Sequence, residues 1–390
     1  MVSRERIKKI CFTVVMLLFT AIVCLALLEL GVRAFFGGPK YLCTLYAKDD
    51  LLGYKLKPHA QMVIDFSYFQ QNVSLNSMGL RDREYGPKQA GEKRILALGD
   101  SFLFGAVWDA NQTFVKVLER ELNKHSTTQY SVINTGVSGY GSYEEAKFHA
   151  RDSPALAPDI VMYFFYMNDI EGDIGAPQST VLDNGCAVSK ASLELPLFSW
   201  ARFQNWLIFN SRAYIYFRFI VLNENAGLRN FLYKVRNRLV DLGLAEPARL
   251  QYKILQSAYD QETSEGWNAT LANVQEMADT ARQRRQKYVI VMIPMKFQVH
   301  DELWEDYQQR NRVPGDKYDF GKPARILAEA ARKYNATFID LTPLLKDAIR
   351  EQNIKDKLYY EGDAHFNVLG NEVAGAALYD ELLRQKVVQP

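Results

Sequence analysis

A chain of 390 residues, 48% of them hydrophobic, can bury a sizeable core, which excludes a disordered chain. With 47 lysines and arginines against 45 acidic residues, the formal net charge is only +2, so no field able to gather nucleic acid is present. Aromatic residues make up 13% of the chain, enough to stack on sugars but more simply accounted for by core packing.

The first 36 residues stand apart from the rest. Ile10 to Leu28 carries no charge, and as a helix this run rises about 28 Å, close to the thickness of a bilayer's hydrocarbon core. Arg4, Arg6, Lys8 and Lys9 precede it, whereas Glu29 and Arg33 nearly cancel after it. That asymmetry places the N-terminus in the cytoplasm and the remainder of the chain outside it. The apolar region of a cleaved signal is shorter, about 7–15 residues, and no small-x-small cleavage site follows, so the segment reads as an uncleaved anchor. Cys11 and Cys24 fall within it. Cys43 and Cys186 remain on the exported side, where a disulfide is permitted, and their spacing does not choose between a bridge and two free thiols.

Residues 37–92 are rich in Gly, Pro, Lys and Asp, with short alternating pieces, MVIDFSYF and NVSLNS, that predict small strands packed on a main domain. The pattern then becomes regular. RILALG (94–99) predicts a buried strand, QTFVKVLERELNKH (112–125) an amphipathic helix and YSVINTG (130–136) a second strand. SYEEAKFHARD (142–152) predicts a second helix and PDIVMYFFYMND (158–169) a third strand. Between about 171 and 263 this rhythm breaks. The aromatic stretch 203–239 predicts an inserted helical subdomain, because Arg212 and Arg218 interrupt it too often for a second span. Core packing is its simplest role; a basic aromatic stretch also suits a membrane surface or a lid. Helix 267–286, strand 288–294, helix 322–334 and strand 336–341 then resume the alternation. Such alternation implies a parallel sheet with helices on both faces.

Acyl transfer needs a nucleophile, a base, an orienting carboxylate and donors for the oxyanion. Ser101, in the Gly-Asp-Ser turn after the first strand, would project from the carboxyl edge of the sheet; a helix N-cap serine is equally natural there. NTGVSGYG (134–141) makes Gly139 a candidate oxyanion donor, or simply part of a flexible loop. Asn168, in Met-Asn-Asp, is a second candidate donor and also a common turn former. Among five histidines, His365 stands out. EGDAHFNVLGNEVAGAAL (361–378) sets it in a loop with Asp363 two residues before it, able to hold its tautomer and stabilise its cation. His300 follows another strand and could line the site, while His125 and His149 fall in helices and read as structural. Neither Cys-x-x-Cys nor His-x-x-x-His occurs, and no phosphate-binding glycine loop is present, so no metal or cofactor is expected.

Gly-Asp-Ser, Asn-x-Gly-x-x-Gly, Asn-Asp and Asp-x-His, in that order and each at a strand end, resemble the SGNH (GDSL) hydrolase family over roughly residues 93–173 and 267–385. The resemblance implies a three-layer α/β/α flavodoxin-like fold for residues 93–390, with a parallel central sheet and the helical insertion outside it. It makes Ser101 the nucleophile, donating its own backbone N–H. Gly139 and Asn168 would complete the oxyanion hole, and His365 and Asp363 the triad. NSMGLRDREYGPK (76–88), behind a single anchor, is similar to membrane-tethered members found beside surface-polysaccharide systems. Two positions depart from the family pattern. The usual Asp-x-x-His spacing would put the acid at Gly362, and the Asp-x-His-x-Asn form is similar to that of relatives that acetylate alginate-type polysaccharides. Tyr166 and Met167 stand where a glycine often precedes Asn-Asp, a bulk expected to narrow the pocket.

The expected function is therefore an outward-facing, membrane-anchored serine esterase acting on acetyl or acyl esters of a carbohydrate or lipid. An O-acetyltransferase with the same triad is its nearest rival. A non-catalytic scaffold in a membrane complex, with a partner the sequence does not identify, is the reading from another class, and the full set of catalytic residue types opposes it.

Overall fold

The uncharged run near the N-terminus winds into one helix, α1 (Arg4–Phe36), whose Lys8–Phe35 stretch contains 18 consecutive residues of mean hydropathy 2.9 and is long and apolar enough to cross a membrane. The structure, a computed structural model, describes residues 4–36, 42–65, 69–174, 180–183, 186–189, 202–203, 206–207, 210–221, 225–242, 251–311, 318–361 and 363–389. They fall into two units, residues 1–41 with 194–229 and residues 42–193 with 230–390. In the first unit Ser211 begins a short helix, Arg212–Tyr216, its Oγ accepting from the Tyr214 N–H.

The second unit opens with two antiparallel hairpins. The first joins β1 (Tyr46–Asp49) to β2 (Gly53–Leu56), and the second joins β3 (Gln61–Asp65) to β4 (Gln70–Ser74). In β4 exposed and buried residues alternate strictly, with Gln71 and Val73 turned inward. Leu45, Tyr54, Leu56, Ile64 and Val73 from this lead-in form a small core with Phe104, Val137 and Tyr140 of the main domain.

The central sheet comprises β5 (Lys93–Leu98), β6 (Tyr130–Asn134), β7 (Ile160–Phe165), β10 (Lys287–Met292) and β11 (Thr337–Asp340), all parallel in the order β11-β10-β7-β5-β6. Ile95 is set by Val132 on one side and Ile160 on the other. Helices cover both faces, which is why IVMYFF in β7 is buried throughout instead of alternating. The helix Val368–Arg384 packs on α3 (Phe114–His125) and on Leu341–Glu351; Gln261–Gln283 packs on α4 (Ser142–Arg151) and on Lys322–Tyr334. This is the flavodoxin-like strand order, and the chain reverses its direction of winding between β5 and β7.

The segment 171–263 is not helical throughout. The described residues include an antiparallel hairpin of β8 (Thr180–Asp183) and β9 (Cys186–Ser189) ahead of the helices Arg212–Tyr216 and Ala226–Asp241. TVLD and CAVS flank Asn-Gly in the sequence, a strong short-range hairpin signal overshadowed by the aromatic run downstream. The side chains of Cys43 and Cys186 lie outside the described set.

Candidate active site

At the end of β5 the chain turns through Gly99 and Asp100 into α2 (Ser101–Phe104). A Cβ at residue 99 would lie 2.6 Å from Leu103 Cδ1, so a larger residue there would have to displace that buried side chain. Asp100 caps the helix, its Oδ1 accepting from the Phe102 N–H at 2.8 Å. Ser101 is thus the first helical residue and not the cap, which leaves its hydroxyl available for other contacts.

His365 lies across from it. The two side chains meet with His365 Nε2 2.8 Å from Ser101 Oγ. On the far side of the ring, Nδ1 is hydrogen-bonded to Asp363 Oδ1, which also accepts from the His365 backbone N–H at 2.8 Å. The spacing of two residues therefore brings the carboxylate back over its own turn, fixing both the ring and the backbone of His365. The Phe102 ring packs against the imidazole with centroids 4.9 Å apart. Burial opposes a charge on His365, but the hydrogen bond and negative charge of Asp363, reinforced by Asp100, hold its pKa above the usual histidine value.

Asn168 opens α5 (Asn168–Asp173) one turn beyond β7, and its Nδ2 donates to Asp100 Oδ2 at 2.8 Å. An amide nitrogen carries two hydrogens, so one remains for a substrate oxygen. Gly139 sits in the loop after β6 with φ +85°, and a Cβ there would lie 2.9 Å from Tyr54 Oη. That loop is tied to β2 from both sides. The Tyr54 hydroxyl donates to Ser138 O at 2.9 Å, and the Tyr140 hydroxyl donates to Tyr54 O at 2.7 Å.

Tyr166 and Met167 are buried, with the Tyr166 ring 4.4 Å from that of Phe102, so their bulk packs behind α2. His300 is not brought to the serine by its described hydrogen bonds. It is buried and its Nε2 accepts from the Leu358 N–H at 3.2 Å, bracing the segment that leads to His365. Burial lowers its pKa. His149 is buried against Gln286, and His125 stacks on Tyr379.

Two residues without a role in the sequence reading organise this edge. Asp100 joins the nucleophile turn to Asn168, and only its place inside Gly-Asp-Ser hinted at it. Arg81, within the quoted NSMGLRDRE stretch, is 2% exposed. Its guanidinium donates to the carbonyls of Phe104 at 2.6 Å, Val107 at 2.8 Å, Gly105 at 2.9 Å, Trp108 at 3.1 Å and Asn72 at 3.2 Å. The lead-in thereby holds the backbone that follows the nucleophile. Among the described residues, no group of three or more His, Cys, Asp or Glu side chains is placed to hold a metal.

A serine and an imidazole meeting at the switch point of a flavodoxin-like sheet are the mark of SGNH-type serine hydrolases, which act on ester bonds. The chain belongs to the GDSL-like lipase/acylhydrolase family, whose model matches residues 97–373. Solved structures similar to it include an acetyl xylan esterase, AlAXEase, at 12% identity and a TM-score of 0.40, covering 74% of this chain and 100% of that one. A lipase/acylhydrolase from Enterococcus faecalis is similar at 14% identity and a TM-score of 0.37, over 75% of this chain and 96% of that one. A catalytic mutant of an acetylxylan esterase from Geobacillus stearothermophilus is similar at 11% identity and a TM-score of 0.39, over 76% and 97%. No curated protein matches the sequence.

Proposed function

We propose that this chain is a single-pass membrane esterase that removes acetyl or acyl groups from a carbohydrate or lipid on the outer side of the membrane. Residues 1–36 form the anchor and cytoplasmic tip, 37–92 a lead-in packed on the main domain, and 93–390 the catalytic domain with its insertion. The observation that carries the reading is the contact of Ser101 Oγ with His365 Nε2 at 2.8 Å, backed by Asp363 on Nδ1.

The chemistry follows from those positions. Ser101 Oγ attacks the ester carbonyl as His365 Nε2 takes its proton, and Asp363 stabilises the imidazolium that forms. The N–H groups of Ser101 and Gly139 and the Asn168 amide hold the oxyanion. When the tetrahedral species collapses, the carbon–oxygen bond to the alcohol breaks and His365 returns its proton to the leaving alkoxide, giving an acyl-serine. Water, deprotonated by the same histidine, then attacks that ester, and the acid departs as Ser101 recovers its proton. The excess of basic residues before α1 supports a catalytic domain on the outer side of the membrane.

An O-acetyltransferase with the same triad is the rival reading, and the Asp-x-His-x-Asn form is shared by both. Asn367 is occupied as a helix cap, its Oδ1 accepting from the Gly370 N–H at 2.8 Å and its Nδ2 donating to Lys357 O at 2.7 Å. The test is the fate of the acetyl group. Full-length chain in detergent, given an aryl acetate and acetyl-free oligosaccharides, is expected to release acetate to water at a rate independent of acceptor. Acetyl accumulating on the sugar would replace the esterase by the transferase.

A further inference from the structure

Glu29 is the first charge after the apolar run of α1, at the depth where a spanning helix leaves the hydrocarbon. Its carboxylate is held by the insertion. Oε1 accepts from the Arg212 N–H at 2.8 Å and from Arg33 Nε at 2.6 Å, while Oε2 accepts from Ser211 Oγ at 2.8 Å and the Ala213 N–H at 3.0 Å. Arg33 Nη2 in turn donates to Asn210 O at 2.7 Å. Residues 210–213 are therefore pinned at the level of residues 29–33.

From this clamp the geometry points to an interaction surface: we propose that the segment around Trp206 to Arg218 lies in the headgroup layer of the same bilayer that α1 crosses. The proposal rests on the reading of α1 as a membrane span. Asn210 Nδ2 donates to Trp206 O at 2.9 Å and the Ser211 N–H to Leu207 O at 2.8 Å, so one helical turn separates Trp206 from the clamp. One turn rises about 5 Å, comparable to the thickness of each headgroup layer. Trp206 is 56% exposed and Phe203 46%, with their rings stacked at 6.1 Å, and Phe217 is 41% exposed. Large aromatic rings are unfavourable in water and enriched at the membrane interface, where ring and headgroup both find partners.

Charge selects the same occupant. Between residues 201 and 221 the sequence carries Arg202, Arg212 and Arg218 and no acidic residue. Cationic side chains interleaved with exposed aromatics suit lipid phosphates, and the clamp sets the depth at which both groups meet them. The insertion would thus act as a second, interfacial foothold beside the single span.

The experiment uses the full-length chain reconstituted in vesicles of phosphatidylethanolamine and phosphatidylglycerol. A carbonate wash first establishes whether the chain is integral. Tryptophan emission is then recorded with and without lipids brominated near the headgroup, and the Trp206→Phe spectrum is subtracted to isolate residue 206. The expected difference spectrum is shifted to the blue and quenched about two-fold or more. Glu29→Ala should lose most of that quenching while remaining carbonate-resistant and still reacting with a serine-directed probe. A carbonate-resistant wild type whose Trp206 emission is solvent-like and unquenched overturns the docking and leaves the span standing. Release by carbonate overturns both, and full quenching in Glu29→Ala overturns the clamp on which the docking depends.

Discussion

Asp363 carries the most direct prediction about a single residue. His365 must be neutral to accept the Ser101 proton, so activity is lost as pH falls through its pKa, and Asp363 holds that pKa above the usual histidine value. In Asp363→Asn the acidic limb of kcat/KM should move to lower pH while kcat falls by about a thousand-fold or more, as expected when the orienting carboxylate is lost. A limb that stays in place would show that another group sets the base. If Asn168 is the proposed oxyanion donor, Asn168→Ala should lower kcat by about a hundred-fold or more with little change in KM, because that contact forms only in the transition state. Steady-state kinetics on one ester separates the two effects. At this scale the candidate residues were legible by their turn-forming neighbours: Ser101, Gly139 and Asn168 follow β5, β6 and β7, whereas His365, expected at a strand end, lies in the loop between the helices Leu341–Glu351 and Val368–Arg384. Asp100 was not, because its contact with Asn168 depends on how β5 and β7 are placed side by side, which no local pattern encodes.

The lead-in hairpins and the nucleophile turn form one mechanical element through Arg81. Five backbone carbonyls converge on one buried guanidinium; removing it takes the donor from Phe104 O and Val107 O, while Gly105 O keeps Gln71 Nε2 and Trp108 O keeps the Asn72 N–H. Arg81→Met should destabilise the domain by about 3 kcal/mol or more, read as a lower urea midpoint at an unchanged slope. A midpoint within error of wild type would mean that water replaces the guanidinium and that the lead-in is not coupled to α2. The helix 322–334 matches its expected bounds and α3 differs only by a short 3-10 turn at its start, whereas the helix expected over 267–286 runs Gln261–Gln283, begun six residues earlier by the Asp260 cap on the Thr263 N–H at 2.8 Å. The β1–β2 hairpin was missed because YAKDDLLGYKL has no clean alternation; Asp49 and Gly53 shape its turn instead. The helix Leu341–Glu351 was missed as well. It begins with Pro343 in its first turn, and its start is decided by the Asp340 cap on the Thr342 N–H at 2.8 Å.

On the scale of the whole molecule, one sheet edge gathers residues that lie more than 250 positions apart in the sequence, and the order of β5 and β7 is what brings Ser101 and Asn168 to the same crevice. The alternation of strands and helices made the parallel sheet legible, and the motif order made its strand order legible. The composition of the insertion did not, because its aromatic content suits core, lid and membrane interface alike. The proposed chemistry stands or falls on Ser101 as the nucleophile. Full-length chain in detergent, treated with a fluorophosphonate, should carry one adduct on the peptide containing Ser101. That adduct and p-nitrophenyl acetate turnover should both vanish in Ser101→Ala while the thermal unfolding of the variant stays at the wild-type value. An adduct on another serine, or turnover retained by a folded Ser101→Ala, would contradict it.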